Sequence, residues 1–116
     1  MIDPSEVAYA YNRRAEVWPS EDEWHSYVQS RIVRFINCQK KIIGTKDIII
    51  NAGSGGSDYG LYDYKMIHVD IAEEKIKGIA NSIVASVSHI PLRDSISDVI
   101  ICVGSVINYC DDAMQV

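Results

Sequence analysis

Residues 48–70 are IIINAGSGGSDYGLYDYKMIHVD, and the fold is predicted mainly from the order of residue types in this segment. It begins with the continuous apolar run Ile48–Ile50, which is typical of a central parallel strand buried on both faces. A second apolar run, Met66–Val69, ends at the acid Asp70. Between the two runs, four glycines within residues 53–60 let the backbone turn sharply and approach a ligand closely. We therefore expect a strand, a glycine-rich turn and a second strand.

Two further apolar runs follow along the chain, at residues 83–85 and 99–103. A short charged segment, residues 72–79, precedes the third run and is expected to be helical. Strands that alternate with short connecting segments predict an α/β fold with a parallel sheet. Because the sequence contains no repeat, low-complexity tract or linker, we expect one domain. Its parts are an N-terminal helical segment, residues 1–44, and a sheet-forming part, residues 45–116.

Two helices are predicted in the N-terminal segment. Asp3 is a candidate N-cap and Glu6 completes a capping-box pattern, which predicts a short helix up to about Arg14. After Pro19, Ser20 is a candidate N-cap for a second helix. The apolar side chains of this second helix fall on one stripe, formed by Trp24, Tyr27, Val28, Ile32, Phe35 and Ile36. Core packing against the sheet is favoured over a ligand role for the stripe.

The overall composition is ordinary for a soluble globular protein. The 116 residues are 47% apolar and 23% charged, with a net charge of -5. The densest basic cluster is the pair Lys40 and Lys41, so we expect no nucleic acid among the partners. No apolar run approaches the roughly 18 residues that suggest a membrane span, so no membrane partner is expected either.

Cysteines and histidines give little indication of redox or metal chemistry. Cys38, Cys102 and Cys110 form no C-x-x-C pair, and we see no secretory leader. Reduced thiols and a cytoplasmic location are therefore expected. The three histidines lack partners at zinc-binding spacing, so no metal is assigned.

The acid at the end of the second strand indicates what the glycine-rich turn could hold. A carboxylate accepts two hydrogen bonds side by side, which suits the two hydroxyls of a ribose. Asp70 could also cap a helix that starts near Ala72, and the two roles can coexist. Together the turn and the acid indicate a nucleoside-containing cofactor. A dinucleotide is disfavoured, because a G-x-G-x-x-G fingerprint counted from Gly53 places Asp58 where a carboxylate would repel a pyrophosphate.

Three segments of the chain resemble class I S-adenosylmethionine-dependent methyltransferases. They are IIINAGSGGSDYG (residues 48–60), MIHVD (residues 66–70) and HIPLRDSISDVIICVGSVINYCDD (residues 89–112). The third is similar to the family's L-P-F-x-D-x-x-F-D-x-V stretch, with Pro91 and Asp98 at matching places. The resemblance implies a Rossmann-like parallel sheet in the order 3-2-1-4. It also implies S-adenosylmethionine as the cofactor and a small-molecule or protein methyl acceptor.

The resemblance further implies which residues bind the cofactor. They are Asn51, Gly53, Ser54, Gly55, Asp70, Ile71, Ser86, Val87 and Gly104. In this arrangement Asp70 holds the ribose, Ser86 and Val87 lie beside the adenine, and the glycine-rich turn wraps the cofactor. Asn51 stands where the family has an acid; its carbonyl oxygen can accept hydrogen bonds from the turn's amides, but it brings no negative charge. No catalytic residue is assigned.

The end of the chain and several altered positions leave alternatives open. A complete domain of this family continues with a fifth strand. We therefore expect either a truncated domain or a chain that forms homo-oligomers through an open sheet edge at residues 98–103. The alternative function is a non-catalytic nucleotide-binding or scaffold module, favoured by the departures from the family at Asn51, Ser57 and Ser86. A third is an NAD-linked oxidoreductase, which Asp58 disfavours.

Overall fold

The structure is a computed structural model that describes residues 3–17 and 23–103. Its helices are α1 (Pro4–Val17), α2 (Glu23–Cys38), a 3-10 helix (Gln39–Lys41) and α3 (Glu73–Ile76). Its strands are β1 (Ile48–Ala52), β2 (Lys65–Asp70), β3 (Ser82–Val84) and β4 (Val99–Cys102). The predicted N-cap Ser20 and the predicted site residue Gly104 lie outside the described residues.

The four strands form one sheet in the order β3-β2-β1-β4, and every neighbouring pair is parallel. The predicted α/β fold, the Rossmann-like sheet and the strand order are therefore confirmed. At the centre of the sheet, Ile50 lies between Ile67 of β2 and Ile100 of β4. The strand order reverses between β1 and β4, and ligands of such sheets bind at the carboxyl ends of the strands beside this switch point.

Strand β1 is buried on both faces, as its apolar run predicts. Successive side chains of a strand point to opposite faces, so Ile49 and Asn51 share one face while Ile50 and Ala52 share the other. The first face belongs to a cluster that includes Ile36 of α2. The members of this cluster are Ile36, Ile43, Ile49, Tyr59, Leu61, Met66 and Ile101, and those of the opposite cluster are Ile50, Ala52, Val69 and Val87.

Helix α1 begins at the predicted place. The carboxylate of Asp3 accepts hydrogen bonds from the Ser5 hydroxyl at 2.7 Å and the Ser5 amide at 2.8 Å. The amide of Glu6 donates to the Asp3 carbonyl at 3.1 Å. The helix continues to Val17, beyond the predicted end near Arg14.

The predicted core packing of the α2 stripe holds for only part of it. Ile36 is buried and Ile32 is half-buried against the core. In contrast, the aromatic members are exposed, with Trp24 at 66%, Tyr27 at 54% and Phe35 at 67%. The prediction was wrong for these three, because the sheet among the described residues stops at β4 and the stripe is wider than the surface it meets. Tyr27 and Phe35 instead line an open groove of about 870 Å³ between α2 and β4.

The crossovers between the strands are short. Residues 53–64, which connect β1 to β2, form turns and no helix. The predicted helix within residues 72–79 is reduced to α3, which is a single turn. Among the described helices, none has both the length and the apolar character needed to cross a membrane.

Candidate functional site

The glycine loop, residues 53–60, follows the carboxyl end of β1 and lies against the carboxyl end of β2. Its first two amides are tied to the neighbouring strand, since Gly53 and Ser54 both donate to the Val69 carbonyl, at 2.8 and 3.0 Å. These bonds extend the pairing of β1 with β2 beyond Ala52, the last residue of β1. The loop therefore starts as a continuation of β1, on the side where β1 pairs with β2.

Asp70 anchors the next part of the loop. Its Oδ2 accepts the Gly55 amide and its Oδ1 accepts the Ala72 amide, both at 2.8 Å. The N-cap of α3 is Ala72, with no side-chain cap, so Asp70 forms an Asx turn before the helix and is not itself the predicted cap. Each carboxylate oxygen has a second lone pair for another donor. Asp70 is 9% exposed, so that donor must approach through a small opening.

The adjacent glycines Gly55 and Gly56 differ in their surroundings: there is free space beside Gly55, whereas Gly56 is closely packed. A Cβ added to Gly55 would meet no atom within 4 Å, and this residue is exposed. A Cβ added to Gly56 would lie only 2.4 Å from the Lys75 carbonyl oxygen, so the loop packs here directly on α3. Both residues have positive φ, +59° and +87°, which explains why glycine occupies them. The space above Gly55 is thus the side that a ligand could enter.

Ser54 and His68 form a buried pair under the loop. Ser54 Oγ lies 2.6 Å from His68 Nδ1 and accepts the Gly56 amide at 3.1 Å. Burial lowers the pKa of His68, and the carboxylate of Asp58 opposes this shift. Sequence reasoning missed the pair because it searched only for metal and catalytic spacing around each histidine. The alternation of Met66, His68 and Asp70 along β2 would have placed His68 on the same face as Asp70.

Asn51 supports the loop in a different way from the one predicted. Its Nδ2 donates to the Ser57 carbonyl at 2.7 Å and lies 3.5 Å from the sulfur of Met66. The expectation that its carbonyl oxygen accepts loop amides is therefore wrong, because a loop carbonyl, not an amide, faces it. Asn51 is fully buried, and no described residue makes a hydrogen bond to its Oδ1.

The predicted adenine-side residues follow β3. Ser86 Oγ lies 2.8 Å from Ser88 Oγ, which in turn lies 3.0 Å from His89 Nδ1. Val87 is only 6% exposed and belongs to the core cluster with Ile50, so its side chain has a packing role. Ile71, directly after Asp70, is half-buried.

A metal-binding cluster or a cysteine thiol would be an alternative site in the described part of the chain. Among residues 3–17 and 23–103, no three His, Cys, Asp or Glu side chains lie close enough to hold a metal ion. Cys38 and Cys102 are both exposed to solvent. The glycine loop with Asp70 is therefore the best candidate site.

Comparison of the chain with protein-family models, curated proteins and solved structures found no match. The resemblance to class I methyltransferases therefore stays a prediction. The function has to be inferred from the glycine loop, Asp70 and their surroundings.

Proposed function

We propose that the chain binds S-adenosylmethionine over the glycine loop and is a methyltransferase acting on a small-molecule or protein acceptor. The observation that carries this proposal is the position of Asp70. Its carboxylate lies at the carboxyl end of β2, one strand from the switch point, and is hydrogen-bonded to Gly55, above which there is open space. An acid against an open glycine at this place suits a ribose.

The ribose would be held by the unused lone pairs of Asp70. Each oxygen already accepts one backbone amide, so each can take one ribose hydroxyl as its second donor. The two amides also fix the carboxylate in place, and a preorganised acceptor loses little side-chain entropy when it binds. The absence of a side chain at Gly55 lets the sugar approach the backbone.

The charges around the loop favour a cofactor without phosphate. A pyrophosphate is usually bound at the N-terminus of the helix that follows such a loop, and residues 53–64 contain no helix. The loop carries Asp58 and is bonded to Asp70, and the chain has a net charge of -5. Nearby carboxylates repel pyrophosphate and attract the sulfonium and ammonium groups of S-adenosylmethionine. NAD is therefore the poorer candidate.

The contribution of the chain to the reaction would be orientation. Bound S-adenosylmethionine would supply a methyl group activated by its sulfonium. An acceptor lone pair would form a bond to the methyl carbon, and the carbon–sulfur bond would break with its electrons staying on the sulfur of S-adenosylhomocysteine. Asp70 would hold the ribose and the open face of Gly55 would seat the adjoining part of the cofactor. Alignment of reacting atoms accounts for much of the rate in such displacements. No described side chain is assigned an acid or base role.

A non-catalytic module is the second candidate, and one observation favours it. The amides of Gly53, Ser54, Gly55 and Gly56 all donate to acceptors within the protein. Both oxygens of Asp70 serve the same internal network. A loop whose hydrogen bonds are all made within the protein could keep its structural role in a chain that has lost catalytic activity.

Isothermal titration of the chain with S-adenosylmethionine, S-adenosylhomocysteine and NAD separates these candidates. We expect saturable heat with the first two ligands and none with NAD. Heat with NAD alone would favour the oxidoreductase. Absence of heat with all three would overturn the proposal and favour the scaffold module.

The predicted homo-oligomer stays a prediction. In the described chain β4 pairs only with β1, and Ile100 of this edge strand is 65% exposed. An exposed apolar edge is a place where a second copy could pair. Size-exclusion chromatography with light scattering tests this, and a clean monomer at high concentration would contradict it.

A further inference from the structure

The buried Ser54–His68 pair connects the glycine loop to β2 beneath the loop. Ser54 is 2% exposed and His68 is 6% exposed. Their side chains meet at 2.6 Å between Oγ and Nδ1, a short contact for a neutral hydrogen bond. The same Oγ accepts a hydrogen bond from the Gly56 amide at 3.1 Å. The Ser54 hydroxyl therefore contacts both the loop backbone and the histidine ring.

The hydrogen bonds indicate which nitrogen of His68 carries the proton. The Gly56 amide can only donate, so it uses a lone pair of Ser54 Oγ. The second lone pair of Ser54 Oγ could accept a proton from Nδ1, but the hydroxyl's own proton would then have no acceptor among the described residues. An unprotonated Nδ1 provides that acceptor. The neutral imidazole with its proton on Nε2 satisfies this arrangement.

We propose that the Ser54–His68 pair is a proton-sensitive latch, in which neutral His68 holds the glycine loop closed and protonated His68 releases it. A proton on Nδ1 turns this nitrogen into a donor. Ser54 Oγ would then face two donors, Gly56 and His68, and its own proton would lose its acceptor. The protonated state also places a positive charge in a site that is almost closed to water. His68 is thus a positioning residue for the loop.

The residues around His68 only partly offset the cost of placing a positive charge on its buried ring. In the sheet it lies between Asn51 of β1 and Ser82 of β3, which are uncharged. The loop contributes Asp58, and β2 itself contributes Asp70, whose carboxylate is already bonded to two amides. From α3, the carbonyl oxygen of Lys75, a basic residue, packs against the loop at Gly56. α3 also carries Glu73 and Glu74, both exposed to solvent, where water screens their charge.

The direction of the pH dependence follows from the lowered pKa of His68. Burial sets this pKa below the ordinary value of 6.5, so there is a range below pH 6.5 in which released His68 binds a proton and latched His68 does not. The latch is therefore fully stable above pH 6.5. It weakens as the pH falls through this range.

Two measurements on the full chain without ligand test the latch. Nitrogen NMR of the imidazoles near pH 7.5 should show His68 with a bare Nδ1 and a protonated Nε2. Amide hydrogen exchange, corrected for intrinsic rates, should show Gly56 less protected near pH 5.5 than near pH 7.5, by up to about tenfold. Ser54→Ala should remove the protection of Gly56 and its pH dependence. His89→Gln, which changes an exposed histidine, should leave both unchanged.

A protonated Nδ1 at neutral pH, or Gly56 protection that is the same at both pH values, would overturn the latch. Neither measurement requires a cofactor, so they stand even if the proposed function fails. The functional consequence rests on the proposed function: wild-type affinity for S-adenosylhomocysteine should fall several-fold between about pH 7.5 and about 5.5. Unchanged affinity over this range would show that the loop does not need the latch to bind its ligand.

Discussion

The carboxylate of Asp70 links two parts of the backbone. It accepts one hydrogen bond from the amide of Gly55 in the glycine loop and one from the amide of Ala72 before α3, each at 2.8 Å. The residue proposed to bind a ribose is thus also the one that holds the loop against the second crossover. Binding and folding are coupled at this carboxylate, and variants of Asp70 have to be judged on both.

Asp70→Ala should lower the free energy of unfolding by about 2–4 kcal/mol, because it leaves the buried Ala72 amide and the part-buried Gly55 amide without their charged acceptor. Urea denaturation measures the change. Asp63→Ala is the matched control, since Asp63 is an exposed acid of the crossover from β1 to β2 and its loss should have little effect. Equal stability of the two variants would show that the hydrogen bonds of Asp70 contribute nothing.

The sequence predicted the sheet well because its evidence is local. A continuous apolar run such as Ile48–Ile50 can only be satisfied by burial on both faces, and the structure buries it so. The acid at Asp70 could be placed at the strand end in the same way. These features depend on residue order alone.

The features that sequence reasoning missed depend on register and on chain reversal. Asn51 and His68 are neighbours only because β1 and β2 pair in one register. The side chain of Asn51 was predicted to accept hydrogen bonds from the loop. It donates one instead, because the glycine loop turns the Ser57 carbonyl toward its Nδ2. The exposure of Phe35 depends on how far the sheet extends under α2, which a helical stripe does not reveal.

The two sides of the glycine loop should respond differently to alanine. Gly56→Ala should destabilise the fold by about 2–4 kcal/mol, since its Cβ would collide with the Lys75 carbonyl as well as strain a positive φ. Gly55→Ala and Gly78→Ala, which have positive φ but open space, should each cost about 1–2 kcal/mol. Thermal or urea unfolding of the three variants decides this, and a Gly56→Ala no worse than Gly78→Ala would contradict the close packing on α3.

Replacing Asn51 with the acid typical of the methyltransferase family should be harmful here. Asn51→Asp puts a buried carboxylate against the Ser57 carbonyl, and we expect a loss of about 2–4 kcal/mol at neutral pH. The loss should shrink on acidification, because a protonated carboxyl can donate to that carbonyl. Asn81→Asp, at an exposed position, is the control for the change of charge. An Asn51→Asp chain as stable as the wild type would mean that the loop turns its amides to this position instead.

Tyr59 should make the fold sensitive to alkali. Burial raises the pKa of its hydroxyl above 10.0, and the charges of Cys102 and Asp70 act in the same direction. The unfolded chain then loses this proton first, so stability is complete below pH 10 and falls as the pH rises above it. Tyr59→Phe should reduce this alkaline loss in urea unfolding, whereas Tyr62→Phe, at an 83% exposed position, should not. Identical alkaline curves for wild type and Tyr59→Phe would refute the assignment.

NMR titration of the nitrogen-labelled chain with S-adenosylhomocysteine tests whether Asp70 and the glycine loop form a nucleoside site. The site predicts saturable shifts of the amides of Gly55, Asp70 and Ile71. The amide of Gly44, which precedes β1 at the opposite end of the sheet, should stay unchanged. If the amide signals of Gly55, Asp70 and Ile71 do not shift, or if only amides away from the loop shift, the proposed nucleoside site is contradicted.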